Sequence, residues 1–128
     1  MKGIYGIGTD IVKNIRIQRI IQASIKQRFL NKVLHQIEID EFNNKTDIQM
    51  QVRYLASRWA YKESLVKASG RKDLIFNHIY LEKDNERPIV KLIDTNYKII
   101  YQEMQIKDIQ VSISHEEDYS IAFVVLTY

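Results

Sequence analysis

The stretch I-Q-M-Q-V-R-Y-L-A-S-R-W-A-Y-K-E-S-L-V-K-A-S-G, Ile48 to Gly70, decides the fold. It has no Pro and no Gly before its last position, so a single helix is predicted from Ile48 to Ser69, with Gly70 as its stop. At about 3.6 residues per turn, each residue advances about 100°, which puts Val52, Leu55, Ala56, Trp59, Ala60 and Val66 on one face. Glu63 falls near the middle of that face, and Lys67 lies one turn further on. Two readings of Glu63 stand side by side. It is an ordinary edge residue paired with Lys67, or a carboxylate placed on an apolar face because chemistry needs it there.

Working outward, Asn43–Asp47 is polar and reads as a loop. Before it, helical pieces are predicted at Arg28–Leu34 and Gln36–Asn43. A first helix, capped by Asn14, carries Ile17, Ile20, Ile21 and Ile25 on its apolar side. Gly3 to Val12 alternates like a strand ending near Asp10. After Gly70, strands are predicted at His78–Lys83 and Ile89–Ile93 around a turn at Asp84–Pro88. A helix at Asn96–Met104 precedes a last hairpin, Ile109–His115 and Tyr119–Thr127, turning through Glu116, Glu117 and Asp118. Strand, helices, two strands, helix, two strands make an α+β domain, and residues 1–128 read as one such unit.

Composition agrees. The 128 residues are 45% hydrophobic and 27% charged, the balance of a globular chain and not of a disordered one. The absence of Cys excludes disulfides, thiol catalysis and thiolate zinc sites. A net charge of +3 is too small for a nucleic-acid stripe and suits an acidic protein partner or a phosphorylated small molecule. No apolar run approaches the roughly 20 residues of a membrane span. The chain also begins without signal or transit character. The cytoplasm is expected, or an organelle lumen if a transit peptide has been removed.

A second carboxylate, Asp10, stands in G-I-G-T-D, where Gly6 and Gly8 allow a ligand or another backbone to come close. Asp10 is either a turn residue or a ligand. The glycines form no dinucleotide fingerprint or phosphate loop, and there is no nucleophile elbow or H-E-x-x-H. Two carboxylates without Cys suit Mg²⁺, which takes one or two protein carboxylates and completes its shell with water and substrate phosphate. Lys62 and Lys67 flank Glu63 and could neutralise that phosphate. V-S-I-S-H, Val111 to His115, places Ser112 and Ser114 on one strand face, with His115 at the end.

Three separated segments, G-I-G-T-D-I-V, R-W-A-Y-K-E-S-L-V-K-A-S-G and V-S-I-S-H, together resemble the holo-acyl-carrier-protein synthases, small 4'-phosphopantetheinyl transferases. R-F-L-N-K-V-L (Arg28–Leu34) extends the match. The resemblance implies Mg²⁺-dependent transfer of 4'-phosphopantetheine from coenzyme A to a serine of apo-acyl carrier protein, releasing adenosine 3',5'-bisphosphate. It implies Asp10 and Glu63 as metal ligands, Lys62 and Lys67 on phosphate oxygens, and Lys67 to Gly70 beside the nucleotide. Ser112, Ser114 and His115 would cover the coenzyme, with Arg58 on phosphate or bracing the helix. Glu63 through a water, Asp10 or Lys67 would take the serine proton, and Glu63 is favoured. A homotrimer is implied, with His115 acting across an interface, and Arg16 and Arg28 would meet the carrier. Neither nucleic acid nor membrane is expected as a partner. Departures from the family pattern are Tyr61, Ser64 and the run Arg71, Lys72, Asp73 after Gly70, where Arg71 and Lys72 offer charge to phosphate. Two other classes compete: a non-enzymatic module for acidic partners, and a Mg²⁺-dependent nucleotide phosphohydrolase.

Overall fold

The helix predicted from Ile48 to Ser69 is present over those residues, in a computed structural model that describes residues 3–128. Elements follow in the order β1 (Ile4–Lys13), α1 (Asn14–Ile21), α2 (Lys26–Val33), α3 (Gln36–Asn43), α4 (Ile48–Ser69), β2 (Ile79–Asp84), β3 (Arg87–Leu92), α5 (Asp94–Tyr97), β4 (Asp108–His115) and β5 (Tyr119–Thr127). The fold is α+β, with one antiparallel sheet in the order β1-β5-β4 and a separate β2-β3 hairpin.

Both ends of α4 are set locally. The Asp47 side chain accepts from the Gln49 N–H at 2.7 Å, and Gly70 closes the helix at φ 71°, a left-handed conformation suited to glycine. The Gly70 N–H donates to the Val66 carbonyl at 2.8 Å. Burial around α4 is wider than the single stripe read from the wheel. Val52, Leu55, Ala56 and Ala60 are buried as expected, and so are Lys62 beside Leu55, and Tyr54, Tyr61, Leu65 and Ala68 on the opposite side. The reason is position: α4 lies between the three-stranded sheet and the α1–α3 layer. Trp59 sits between Phe29 and Phe76, each ring centroid 5.6 Å away.

The two glycines of β1 exist for α4. A Cβ on Gly8 would lie 1.9 Å from the Ser64 carbonyl oxygen, and one on Gly6 would lie 1.9 Å from that of Ala68. Strand and helix backbones therefore touch directly. The Ser64 hydroxyl seals the contact, 2.8 Å from the Ala60 carbonyl and 3.1 Å from the Ala122 carbonyl of β5.

Three local expectations are corrected. β1 does not end near Asp10 but continues to Lys13, because Asp10, Val12 and Lys13 keep pairing with Ala122, Ser120 and Tyr119. Asn14 is the first residue of α1 and not its cap. Its buried side chain instead donates to the Glu117 carbonyl at 3.0 Å and accepts from the Ser120 hydroxyl at 2.9 Å, tying the β4–β5 turn to α1. That helix stops at Ile21, so Ile25 lies outside it and is exposed. The helix expected at Asn96–Met104 begins at Asp94 and widens into a π-helical stretch, Lys98–Glu103, where the neighbours Ile99 and Ile100 are both buried.

Candidate functional site

β1 and α4 bring three of the expected residues together. On β1, Gly8, Asp10 and Val12 face the helix, while Ile7, Thr9 and Ile11 face outward. Lys67 on α4 reaches across the strand. Its Nζ donates to the Thr9 carbonyl at 3.0 Å and lies 3.3 Å from Asp10 Oδ1. Glu63 is half-buried beside them. Its carboxyl is pushed above the ordinary glutamate range, first by burial and then by the negative charge of Asp10, with Lys67 pulling the other way. Two carboxylates and one ammonium thus share an accessible edge.

The chemistry of this set fits a hard cation. Among the described residues no group of three His, Cys, Asp or Glu side chains is placed to hold a metal, so this pair cannot close a protein cage. A pair of carboxylates that repel each other while open to solvent is the donor set Mg²⁺ uses when a phosphorylated substrate supplies further oxygens.

A second feature lies elsewhere. A cleft of about 950 Å³ is lined by Tyr54, Ser57 and Arg58 of α4, by the β2–β3 hairpin, and by β4 through Ser112 and His115. Arg58 and Lys67 are nine positions apart on α4, which sets them roughly 180° apart around its axis. Ser112 and His115 therefore gather with Arg58 and not with the carboxylates. His115 lines this cleft within its own chain. Ser112 and Ser114 are both exposed on the outward sheet face, paired with Phe123 and Ile121, with Ser112 also bordering the cleft, and Gly70 is exposed at the end of α4. Arg16 on α1 and Arg28 on α2 are both exposed.

Lys62 is corrected. It is fully buried and donates to Glu38 Oε1 at 2.5 Å, the Val33 carbonyl at 2.7 Å and the Phe76 carbonyl at 2.9 Å. All three ammonium hydrogens are used inside the core, leaving none for a phosphate. Burial pulls its pKa down to about 8, while Glu38 pulls it upward. Arg71 is at the surface and already paired. It holds Asp73 through two contacts, at 3.0 and 2.7 Å, and Glu103 at 3.1 Å, which pins the chain after Gly70 to the π-helical stretch. Lys72 is left as the exposed charge of that run.

Glu38 is the residue that sequence reasoning missed. It occupies the third position of α3, where it completes a capping box with His35: its Oε1 accepts the His35 N–H at 3.2 Å, and the Ile37 N–H donates to His35 Nδ1 at 3.0 Å. A glutamate three residues after a polar cap and just before Ile39 was the available signal.

The comparisons with known proteins follow this geometry. The family model of the 4'-phosphopantetheinyl transferase superfamily matches residues 6–124. A holo-[acyl-carrier-protein] synthase of Mycoplasma mycoides is 36% identical over 118 residues, covering 92% of this chain and 90% of that protein. The crystal structure of the holo-ACP-synthase from Plasmodium yoelii superposes with a TM-score of 0.86 at 34% identity, covering 99% of this chain and 97% of that one. The Helicobacter pylori holo-[acyl-carrier-protein] synthase in complex with coenzyme A gives 0.76 at 29% identity, covering 94% and 98%. The chain belongs to the 4'-phosphopantetheinyl transferase superfamily, and it is an enzyme, as the resemblance of its three motifs implied.

Proposed function

We propose that this enzyme transfers 4'-phosphopantetheine from coenzyme A to a serine of an apo-acyl carrier protein, with Mg²⁺, releasing adenosine 3',5'-bisphosphate. The observation that carries this reading is the Asp10–Glu63–Lys67 group at the β1–α4 edge. The family membership supports it, and the Helicobacter pylori relative binds coenzyme A.

Asp10 and Glu63 would hold the metal, which supplies positive charge to the oxygens of the pyrophosphate as the phosphorus is attacked. Lys67 adds a second, protein-borne charge for the same oxygens, and Lys67 to Gly70 border the nucleotide. The attacking group is the carrier's serine hydroxyl, which must lose a proton. Glu63 takes it through a water. Its carboxylate is half-buried at the open edge and so lies within reach of the substrate. Arg58, Ser112, Ser114 and His115 contact the coenzyme, while Lys62 contributes only to the fold around them.

The proposed enzyme is a homotrimer. Ile7, Ile11, Ile121 and Phe123 are 54%, 59%, 40% and 43% exposed on one face of the sheet, a contiguous apolar surface of the kind that self-association covers. No helix of the described residues is long and apolar enough to cross a membrane. The reaction is proposed for the cytoplasm, or for an organelle lumen behind a removed transit peptide.

Incubating the protein with coenzyme A, Mg²⁺ and an apo-carrier, then weighing the carrier, tests the reading. A carrier heavier by one phosphopantetheine supports it. An unmodified carrier with hydrolysed coenzyme A would favour the phosphohydrolase, and no reaction with or without Mg²⁺ would favour the acidic-partner module.

A further inference from the structure

Behind Arg58 and the cleft lies a buried polar cluster centred on Glu38, which has no part in the reaction proposed above. Glu38 is 0% exposed. Its Oε1 is taken by Lys62 Nζ at 2.5 Å and the His35 N–H at 3.2 Å. Its Oε2 accepts the Tyr61 hydroxyl at 2.9 Å and stands 3.8 Å from Arg58 Nε. Two cations therefore share one carboxylate, and Lys62 has the nearer oxygen.

Arg58 is left under-satisfied. A guanidinium carries five N–H donors. Here Nε is buried without a hydrogen-bond partner, and Nη1 has only the Ser57 hydroxyl at 3.3 Å. The group lies over the Tyr54 ring, its central carbon 4.0 Å from the ring centroid, and Glu41 accepts the Tyr54 hydroxyl at 2.5 Å. Its open side faces the cleft that His115 also lines, with 16% of the side chain exposed. Lys62 and Arg58 against Glu38 leave one positive charge over. Away from bulk water that charge reaches further than it would at an open surface.

We infer that Glu38 is a positioning residue: its carboxylate anchors Arg58 from behind, so that the unspent N–H donors and the surplus charge are presented to a phosphate of the substrate in the cleft. This rests on the reading of the enzyme as one that takes coenzyme A, and adds to it a group that never touches the substrate. Were Glu38 only a core partner for Lys62, removing both together would leave substrate binding alone.

That double replacement is the test. Glu38→Gln by itself strands two cations in the core and is expected to unfold the protein. Glu38→Gln/Lys62→Met removes the pair, keeps the volume and leaves an amide for His35 and Tyr61, so a folded protein is expected. Coenzyme A binding by titration calorimetry on the whole protein with Mg²⁺ should weaken by about tenfold, as for the loss of one charge-assisted contact. KM for coenzyme A should rise in step, with kcat within about twofold of wild type. Arg58→Met should give the same loss alone and add nothing on top of the double variant, because both remove one contact. A folded double variant with wild-type affinity, while Arg58→Met is impaired, would overturn the inference and leave the proposed reaction intact. Unchanged affinity in Arg58→Met would also overturn it. Binding with the expected losses but no carrier modification would retain it and sink the transfer reading. No coenzyme A binding by the wild type would sink both.

Discussion

Lys67 on α4 reaches across β1 to stand 3.3 Å from Asp10 Oδ1, so its ammonium competes with any cation for that carboxylate. The pair is half-open, with the Lys67 side chain 53% exposed, so it contributes little to stability. Lys67→Met should therefore shift unfolding by less than about 1 kcal/mol in urea. Two other quantities should move in opposite directions. Mg²⁺ binding in the absence of coenzyme A should tighten, because a competing ammonium is gone. Transfer should fall by about a hundredfold or more, as when one charge-stabilising donor is removed from a reacting centre. Calorimetric titration of Mg²⁺ and a turnover assay check the two; movement of both in the same direction would rule out the competing role.

Glu63 beside Asp10 destabilises the fold it serves. A carboxyl whose folded pKa is raised favours folding while protonated, and that contribution is lost as pH rises through the folded value. Groups facing it are Asp10, which raises its pKa, and Lys67, which lowers it. Glu63→Gln is thus expected to melt higher than wild type at pH 7 without divalent cation. The gain should be on the order of 2 °C, since a half-exposed like-charge contact is worth under about 1 kcal/mol. The difference should shrink on acidification and vanish below about pH 4, where glutamate is protonated in both states. The same variant, like Asp10→Asn, should lose transfer. Melting curves across pH, paired with the carrier-mass assay, check both halves; a Glu63→Gln protein less stable than wild type at pH 7 would contradict the account.

The two kinds of glycine should behave differently. At Gly8 a methyl group would meet the Ser64 carbonyl oxygen at 1.9 Å, and that atom belongs to a helix backbone that cannot step aside. Gly8→Ala should cost at least the upper end of the roughly 1–3 kcal/mol seen for overpacking. Gly70→Ala meets no atom within 4 Å and has only its φ of 71° to accommodate, so about 1 kcal/mol is expected. Urea midpoints of the two variants test the order. Equal losses would mean that β1 and α4 do not touch as described.

What the chain reveals before folding follows the range of its interactions. The ends of α4 were legible because Asp47 and Gly70 act on their own backbone neighbours. Asp10 and Glu63 were legible because charge on an otherwise apolar pattern stands out. Lys62 was misread for the same reason: its partner Glu38 is 24 positions away on another helix, and one wheel cannot distinguish a buried lysine with three acceptors from a solvated one. The separation of Arg58 from Lys67 was already implied by their spacing on α4, but that His115 packs on the Arg58 side is supplied only by the tertiary arrangement. The end of β1 was also beyond local reading, since Lys13 stays in the strand by pairing with Tyr119.

Assembly can be tested through the outward sheet face. Ile11 and Phe123 project there from adjacent strands, 59% and 43% exposed. Ile11→Lys/Phe123→Glu should leave the helix-side core undisturbed and, where the wild type scatters light as the proposed trimer, give monomers. Mixing His115→Ala with Glu63→Gln subunits then asks where His115 works. Partial recovery of transfer is expected if it completes a neighbour's site. No recovery in a verified mixed trimer would mean that His115 and Glu63 of the same chain serve one site. A wild-type monomer with full turnover would refute the assembly outright.

In the proposed reaction the carrier approaches the edge that holds Asp10 and Glu63, and α1 follows β1 directly after Lys13. Acyl carriers are acidic around the serine that receives the arm, so positive charge on α1 and α2 is the expected complement. Arg16 and Arg28 are exposed, and no ion pair joins either to a carboxylate among the described residues. Charges at the rim of an interface act mainly on the rate of encounter. They are screened beyond about 8 Å at physiological salt. Arg16→Glu/Arg28→Glu should raise KM for the apo-carrier by about tenfold at low salt, with kcat and coenzyme A binding nearly unchanged. The gap should narrow as salt rises, because the wild type loses its steering as well. Steady-state kinetics at two ionic strengths separate the alternatives: a defect that persists at high salt would mean direct buried contacts, and unchanged carrier kinetics at low salt would place the carrier on another surface.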